Sequence, residues 1–176
     1  MCLCNPMRPE LPDIVAAEKQ LPIALRWTPR GQWLELVSPL DLYGVTLEGL
    51  RLCAKALADL PNESVTFQLE YIPPKSNVKG GALWRFEWRP LKGHNNKGNG
   101  PPEFKFRELK GSHHHPFQLN WDEQAQSVRR GNLPVAVPFP DGIDDSFQGT
   151  VAFVGRELRI ENIAGIPEPP WTELLI

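Results

Sequence analysis

Hydrophobic and polar residues alternate most strictly in the middle of the chain. Over 65–71, Val65, Phe67, Leu69 and Tyr71 share one parity, while Thr66, Gln68 and Glu70 share the other. Over 83–89, Trp84, Phe86 and Trp88 oppose Arg85, Glu87 and Arg89. A period of two across a whole element predicts antiparallel strands with one face on a core and the other toward water. Upstream, 22–28 and 32–37 read as a hairpin about Thr28-Pro29-Arg30-Gly31, with proline second and glycine fourth in the turn. The 43–57 stretch fits two patterns. As a helix it gathers Leu47, Leu50 and Ala54. As a strand it alternates and changes parity at Gly49, which a β-bulge would cause, and the bulged strand is preferred.

Farther along, Phe104 and Phe106 resume the apolar parity with Lys105 and Arg107 opposite. After the break at Lys110-Gly111-Ser112, His113, His115, Phe117, Leu119 and Trp121 share one parity, which leaves His114 on the other face. The 133–139 run is apolar but interrupted by prolines, so it suits a sheet edge. Asp144 or Asp145 caps a helix over 146–154, with Phe147, Val151 and Val154 in one stripe and Gly155 just past its end. A last strand over 158–163 and a tail docked through Trp171 follow. At the other end, 1–12 read as an extended arm and Asp13 caps a short helix over 14–20. The 91–102 segment has almost no apolar side chain and reads as a mobile loop. The predicted fold is one α+β domain over 13–176. It is mainly a twisted antiparallel sheet with one C-terminal helix packed on it and many Pro/Gly loops.

Composition narrows the class. The chain has 176 residues, 41% of them hydrophobic, which suffices for a single core. No apolar run approaches ~18 residues, so no membrane span is expected. The opening residues show no charged and apolar leader, and three cysteines cannot form a disulfide framework. A cytoplasmic protein is the expectation. Cys2 and Cys4 with Cys53 and a histidine would make a metal site only at an unfamiliar spacing. The phosphate-binding loop, the dinucleotide fingerprint and the nucleophile elbow are all missing, so no cofactor is expected.

The net charge of −2 hides a division. Residues 75–119 hold nine lysines and arginines against three glutamates, a net +6 between two acidic flanks. The candidate nucleic-acid-binding residues are Arg85, Arg89, Lys92, Lys97, Lys105, Arg107 and Lys110, because lysine and arginine contact phosphates. The interleaved aromatics lie on the core parity and are packing. A merely solvated sheet face remains the plainer alternative.

His113 and His115 are the candidate catalytic residues. On a strand their Cα atoms stand about 7 Å apart on one face, from two rises of ~3.4 Å. Both rings can then reach one phosphate or one ion. A metal would need a third ligand, for which His94, Asp122 and Glu123 are candidates. The cupin pattern fails, because no glutamate follows at its place and no histidine follows His115. Metal therefore ranks behind a hydrogen-bonded structural pair and behind acid–base chemistry, and no metal ligand is assigned. His114, on the opposite parity, is expected to be dispensable.

Two functions follow. The first is a nucleic-acid-directed protein, with RNA or another polyanion as partner. It would act as a metal-independent ribonuclease in which a histidine moves the proton and a cation steadies the phosphorane. Small ribonuclease toxins of toxin–antitoxin modules work this way, an analogy of chemistry and size alone. The second is a non-enzymatic interaction or scaffold module that meets a protein partner.

Overall fold

The computed structural model describes residues 9–22, 24–74, 80–130 and 132–172. The elements, in chain order, begin with α1 (Leu11–Ala16), β1 (Lys19–Gln20), β2 (Thr28–Arg30), β3 (Trp33–Leu42) and β4 (Val45–Leu57). Then come β5 (Val65–Tyr71), β6 (Gly81–Trp88), β7 (His94–Asn95), β8 (Glu108–Leu109) and β9 (His113–His115). The last third holds α2 (Phe117–Asn120), β10 (Trp121–Asp122), β11 (Ser127–Val128), β12 (Val137–Pro138), α3 (Phe147–Leu158) and a 3-10 turn (Ile163–Gly165).

The main sheet runs β1-β3-β4-β5-β6-β9-β12, with β2 also paired to β3, and all these pairings are antiparallel. The alternation seen in the sequence decides its faces. Phe67, Leu69, Trp84, Phe86 and Trp88 are buried on one side, beneath α3. Phe153 of α3 packs on Trp84 and Phe86, and Phe147 packs on Phe67 and Trp88. No helix among the described residues is long and apolar enough to cross a membrane.

The predicted mainly antiparallel sheet with a C-terminal helix is what forms, with several local corrections. The helix at 14–20 is α1 instead, and Asp13 lies in its first turn with Glu10 at the cap. The first hairpin turns two residues late, so Pro29 is in β2 and Gly31, at φ +62°, is in the turn. The bulge in β4 is real. Its register with β3 shifts between Pro39 and Asp41, and Gly49 sits at φ +90°. Phe104 and Phe106 are not strand residues. Phe106 lies in a turn at φ 58°, 72% exposed, because the pairing strand β8 starts only at Glu108.

At the C-terminal end, α3 runs past Gly155 and stops at Arg159, which takes the left-handed cap conformation. Gly155 serves packing rather than termination. A Cβ there would meet Ile163 at 2.4 Å. Ser146, not an aspartate, caps the start by accepting from the Gly149 N–H. The expected last strand reduces to one bridge between Lys19 and Ile160. Trp171 does dock, edge-on against Phe147.

Candidate functional site: a histidine cluster on the face of the sheet away from the helix

Strand β9 lies between β6 and β12, and its register fixes where each histidine points. Glu87 pairs with His113, Phe86 with His114, and Arg85 with His115. Partners across an antiparallel pair share a face, so His114 joins Phe86 in the core while His113 and His115 join Glu87 and Arg85 on the opposite side. His114 is packed between Trp84 and Phe153. The expectation of a dispensable His114 is therefore corrected. The apolar parity does not carry through Pro116, because α2 begins at Phe117 and rotates the chain.

The segment 91–102, expected as a mobile loop, brings in the third imidazole. His94 in β7 pairs with Leu109 of β8. Its ring centroid lies 5.6 Å from that of His113 and 4.7 Å from that of His115. One ligand nitrogen from each of His94, His113 and His115 lies within 4.8 Å of the others. Asp122 and Glu123, the other candidates for a third ligand, lie outside this group. Asp122 accepts from the Gln124 and Ala125 N–H groups, and Glu123 accepts from the Trp121 indole.

The rings also anchor backbone. His94 Nε2 contacts the Pro134 carbonyl at 3.1 Å, and His115 Nδ1 contacts the Leu133 carbonyl at 2.6 Å. The next two residues are held by asparagines. Asn120 donates to the Val135 carbonyl and accepts from its N–H, and Asn96 does the same for Ala136. Residues 133–136 thus satisfy their polar groups on side chains where no strand pairs with them. That accounts structurally for one nitrogen of His94 and one of His115.

It does not account for His113. Its Nδ1 meets the Gly111 carbonyl at 2.8 Å. A carbonyl only accepts, so Nδ1 carries a proton, and in the neutral form of the ring Nε2 offers a lone pair. That Nε2 is buried and has no hydrogen-bond partner. What it faces is another acceptor, Glu87 Oε2 at 3.6 Å. Glu87 Oε1 lies 3.7 Å from His115 Nε2 and 3.0 Å from Arg85 Nε. Arg85 Nη2 in turn donates to His115 Nε2 at 3.1 Å.

Burial sets the charges. It lowers the His113 pKa against the raising effects of the Gly111 carbonyl and Glu87. It pushes His115 down to about 4, although Glu87 works the other way. Burial alone would raise the Glu87 carboxyl, but interaction with His115 and the Arg85 charge outweigh it and hold the group at about 2. The cluster thus sets three imidazole rings beside the Glu87 carboxylate and the Arg85 guanidinium.

The remaining cations divide in two. Arg85 is half-buried against Glu87, and Arg89 pairs with Asp145 while stacking over Trp88, so neither is a free surface charge. Lys92, Lys97, Lys105, Arg107 and Lys110 are exposed, and none has an ion-pair partner among the described residues. Glu87 is the member that the sequence alone does not single out. Its parity with Arg85 was visible, but its neighbours across β9 depended on register.

No family model matches the chain, and neither a curated protein nor a solved structure matches it.

Proposed function

We propose that this protein is a metal-dependent enzyme of hydrolytic type, with a divalent transition-metal ion such as zinc held by His94, His113 and His115. The observation that carries this is the meeting of one ligand nitrogen from each of three histidines within 4.8 Å, with the buried His113 Nε2 free of any hydrogen bond and 3.6 Å from Glu87 Oε2. An ion on the His113 lone pair would satisfy that buried nitrogen and offset the charge of the neighbouring carboxylate. Imidazoles anchored through one nitrogen with the other turned to an ion are the usual arrangement of metal-ligating histidines, and His113 has that form, while the second nitrogen of His115 accepts from Arg85. Ligands of a tetrahedral site with bonds of ~2.0–2.1 Å stand about 3.3 Å apart, so the cluster, within 4.8 Å, needs only small ring movements to close.

Three histidines without thiolate resemble the ligand sets of catalytic rather than structural zinc, where the open position holds a water made more acidic by the ion. With an ion bound, Glu87, whose carboxylate faces His113 and His115, would be the group to take up a proton from such a water. Direct proton transfer by His113 and His115 has less support, since both rings are fully buried and hard to charge.

Elemental analysis of purified and zinc-reconstituted protein tests the reading. One equivalent is expected in the wild type and none in His113→Ala or His115→Ala. Glu87→Gln should keep the ion and lose ~10²–10⁴ in rate on activated esters. A wild type that takes up no zinc, cobalt or other divalent transition metal overturns the proposal.

The nucleic-acid reading keeps one supporting observation, the five exposed and unpaired cations on the 91–112 segment that also bears His94. RNA affinity that falls steeply with salt would support it, and affinity indifferent to salt would not.

A further inference from the structure

Arg85 occupies the His115 lone pair that an ion would need. Its Nη2 lies 3.1 Å from His115 Nε2. A zinc–imidazole bond of ~2.0–2.1 Å would use the same lone pair. One lone pair cannot serve both, so a bound ion displaces the guanidinium. Arg85 cannot go far. It belongs to an inner strand, between Gln68 of β5 and His115 of β9, its side chain is 14% exposed, and Glu87 tethers it at 3.0 Å. The displaced guanidinium therefore remains beside the ion. A divalent ion and an arginine against a single carboxylate leave excess positive charge in a largely dehydrated place, which calls for an anion.

We propose that the loaded centre binds a phosphoryl group, one oxygen on the ion and another on the Arg85 guanidinium. The inference rests on the metal reading above. Arginine presents a planar fork matched to oxyanions, and the exposed edge of the cluster, at Glu87 and His94, is where such a group would enter. A second observation selects phosphoryl over carboxylate. Lys92, Lys97, Lys105, Arg107 and Lys110 all lie on the segment that delivers His94 and leads into β9, and their unpaired charges favour multiply charged ligands.

Cobalt-loaded protein, titrated with inorganic phosphate and in parallel with acetate, reads both levels through the visible spectrum of the ion. Saturable change with phosphate, and a weaker response to acetate, is expected. Arg85→Met should keep one equivalent of cobalt and lose phosphate affinity on the order of ten- to hundredfold, the worth of a charge-assisted hydrogen bond. If Arg85→Met does not fold, Arg85→Lys carries the test and should lose affinity while keeping charge. Phosphate affinity unchanged in the variant that folds, or equal affinity for acetate, overturns the phosphoryl site and leaves the metal centre standing. Failure of the wild type to hold cobalt or any other divalent transition metal overturns both.

Discussion

His114 stands edge-on against Phe153, their ring centroids 5.2 Å apart at 74°. The contact ties β9 to α3 through the core, on the opposite side of the sheet from the cluster formed by its two neighbours. Truncating it leaves a cavity under the helix, so His114→Ala should destabilise the fold by about 2–4 kcal/mol. Its Nδ1 is buried without a partner, so His114→Leu, which removes that cost, should be milder. Urea denaturation of the two variants checks the order. A His114→Ala protein as stable as wild type would contradict this packing.

Metal should also be visible as stability. An ion that binds only the folded chain stabilises it by RT ln(1 + [L]/Kd), about 2.7 kcal/mol at a hundredfold excess over Kd. Zinc should therefore raise the melting temperature of the wild type and a chelator should lower it. His115→Ala should respond to neither. Differential scanning calorimetry with and without chelator reads the effect directly.

The strands of the middle were legible because long runs alternate strictly, as Val65 to Tyr71 does from end to end. The parity change at Gly49 was legible for the same reason. What escaped was tertiary. The pairing of His113 with Glu87 depends on the register of a three-residue strand reached through a long loop, and no local pattern carries it. Phe106 misled because an aromatic in alternation looks like core, yet the chain turns there before it pairs. Gly155 looked like a helix stop because its close approach to Ile163 cannot be read from neighbours in sequence.

Gly49 should tolerate no side chain. At φ +90° a non-glycine residue is strained, and a Cβ would meet the Ile72 carbonyl oxygen at 2.0 Å. The Ile72 N–H donates to the Gly49 carbonyl at 2.9 Å, so relief of the clash would break that bond. Gly49→Ala is expected to cost upwards of about 2 kcal/mol, more than an exposed glycine turn would. The midpoint of chemical denaturation measures it, with Gly142→Ala as the reference, since nothing lies within 4 Å of a Cβ there.

Lys19 gives stability a pH dependence on the alkaline side. Its Nζ is buried and donates to the carbonyls of Val15, Ala17 and Leu158. Burial, with the charge of Arg159, lowers its pKa from 10.5 to about 8. Between those values the unfolded chain holds a proton that the folded chain has released, so stability contributed by this group rises with pH from about 8 to 10.5. Below about 8 the lysine is charged in both states and the cost of burying that charge is present in full. The total change is on the order of 3 kcal/mol. It should appear as a pH-dependent difference between wild type and Lys19→Met in denaturation series from pH 7 to 10.5.

The two borders of the main sheet share a construction. On one side β3 is bordered by β1, two residues long, and β2, three residues long, with Pro29 inside β2. On the other, β9 is bordered by β12, two residues ending in Pro138. Between them run strands as long as the 13 residues of β4, rich in the apolar alternation that also builds fibrils. Short rails carrying proline offer an incoming chain few free backbone groups to match. Where these rails lie, crowding this protein to high concentration should therefore not zip neighbouring molecules together edge to edge.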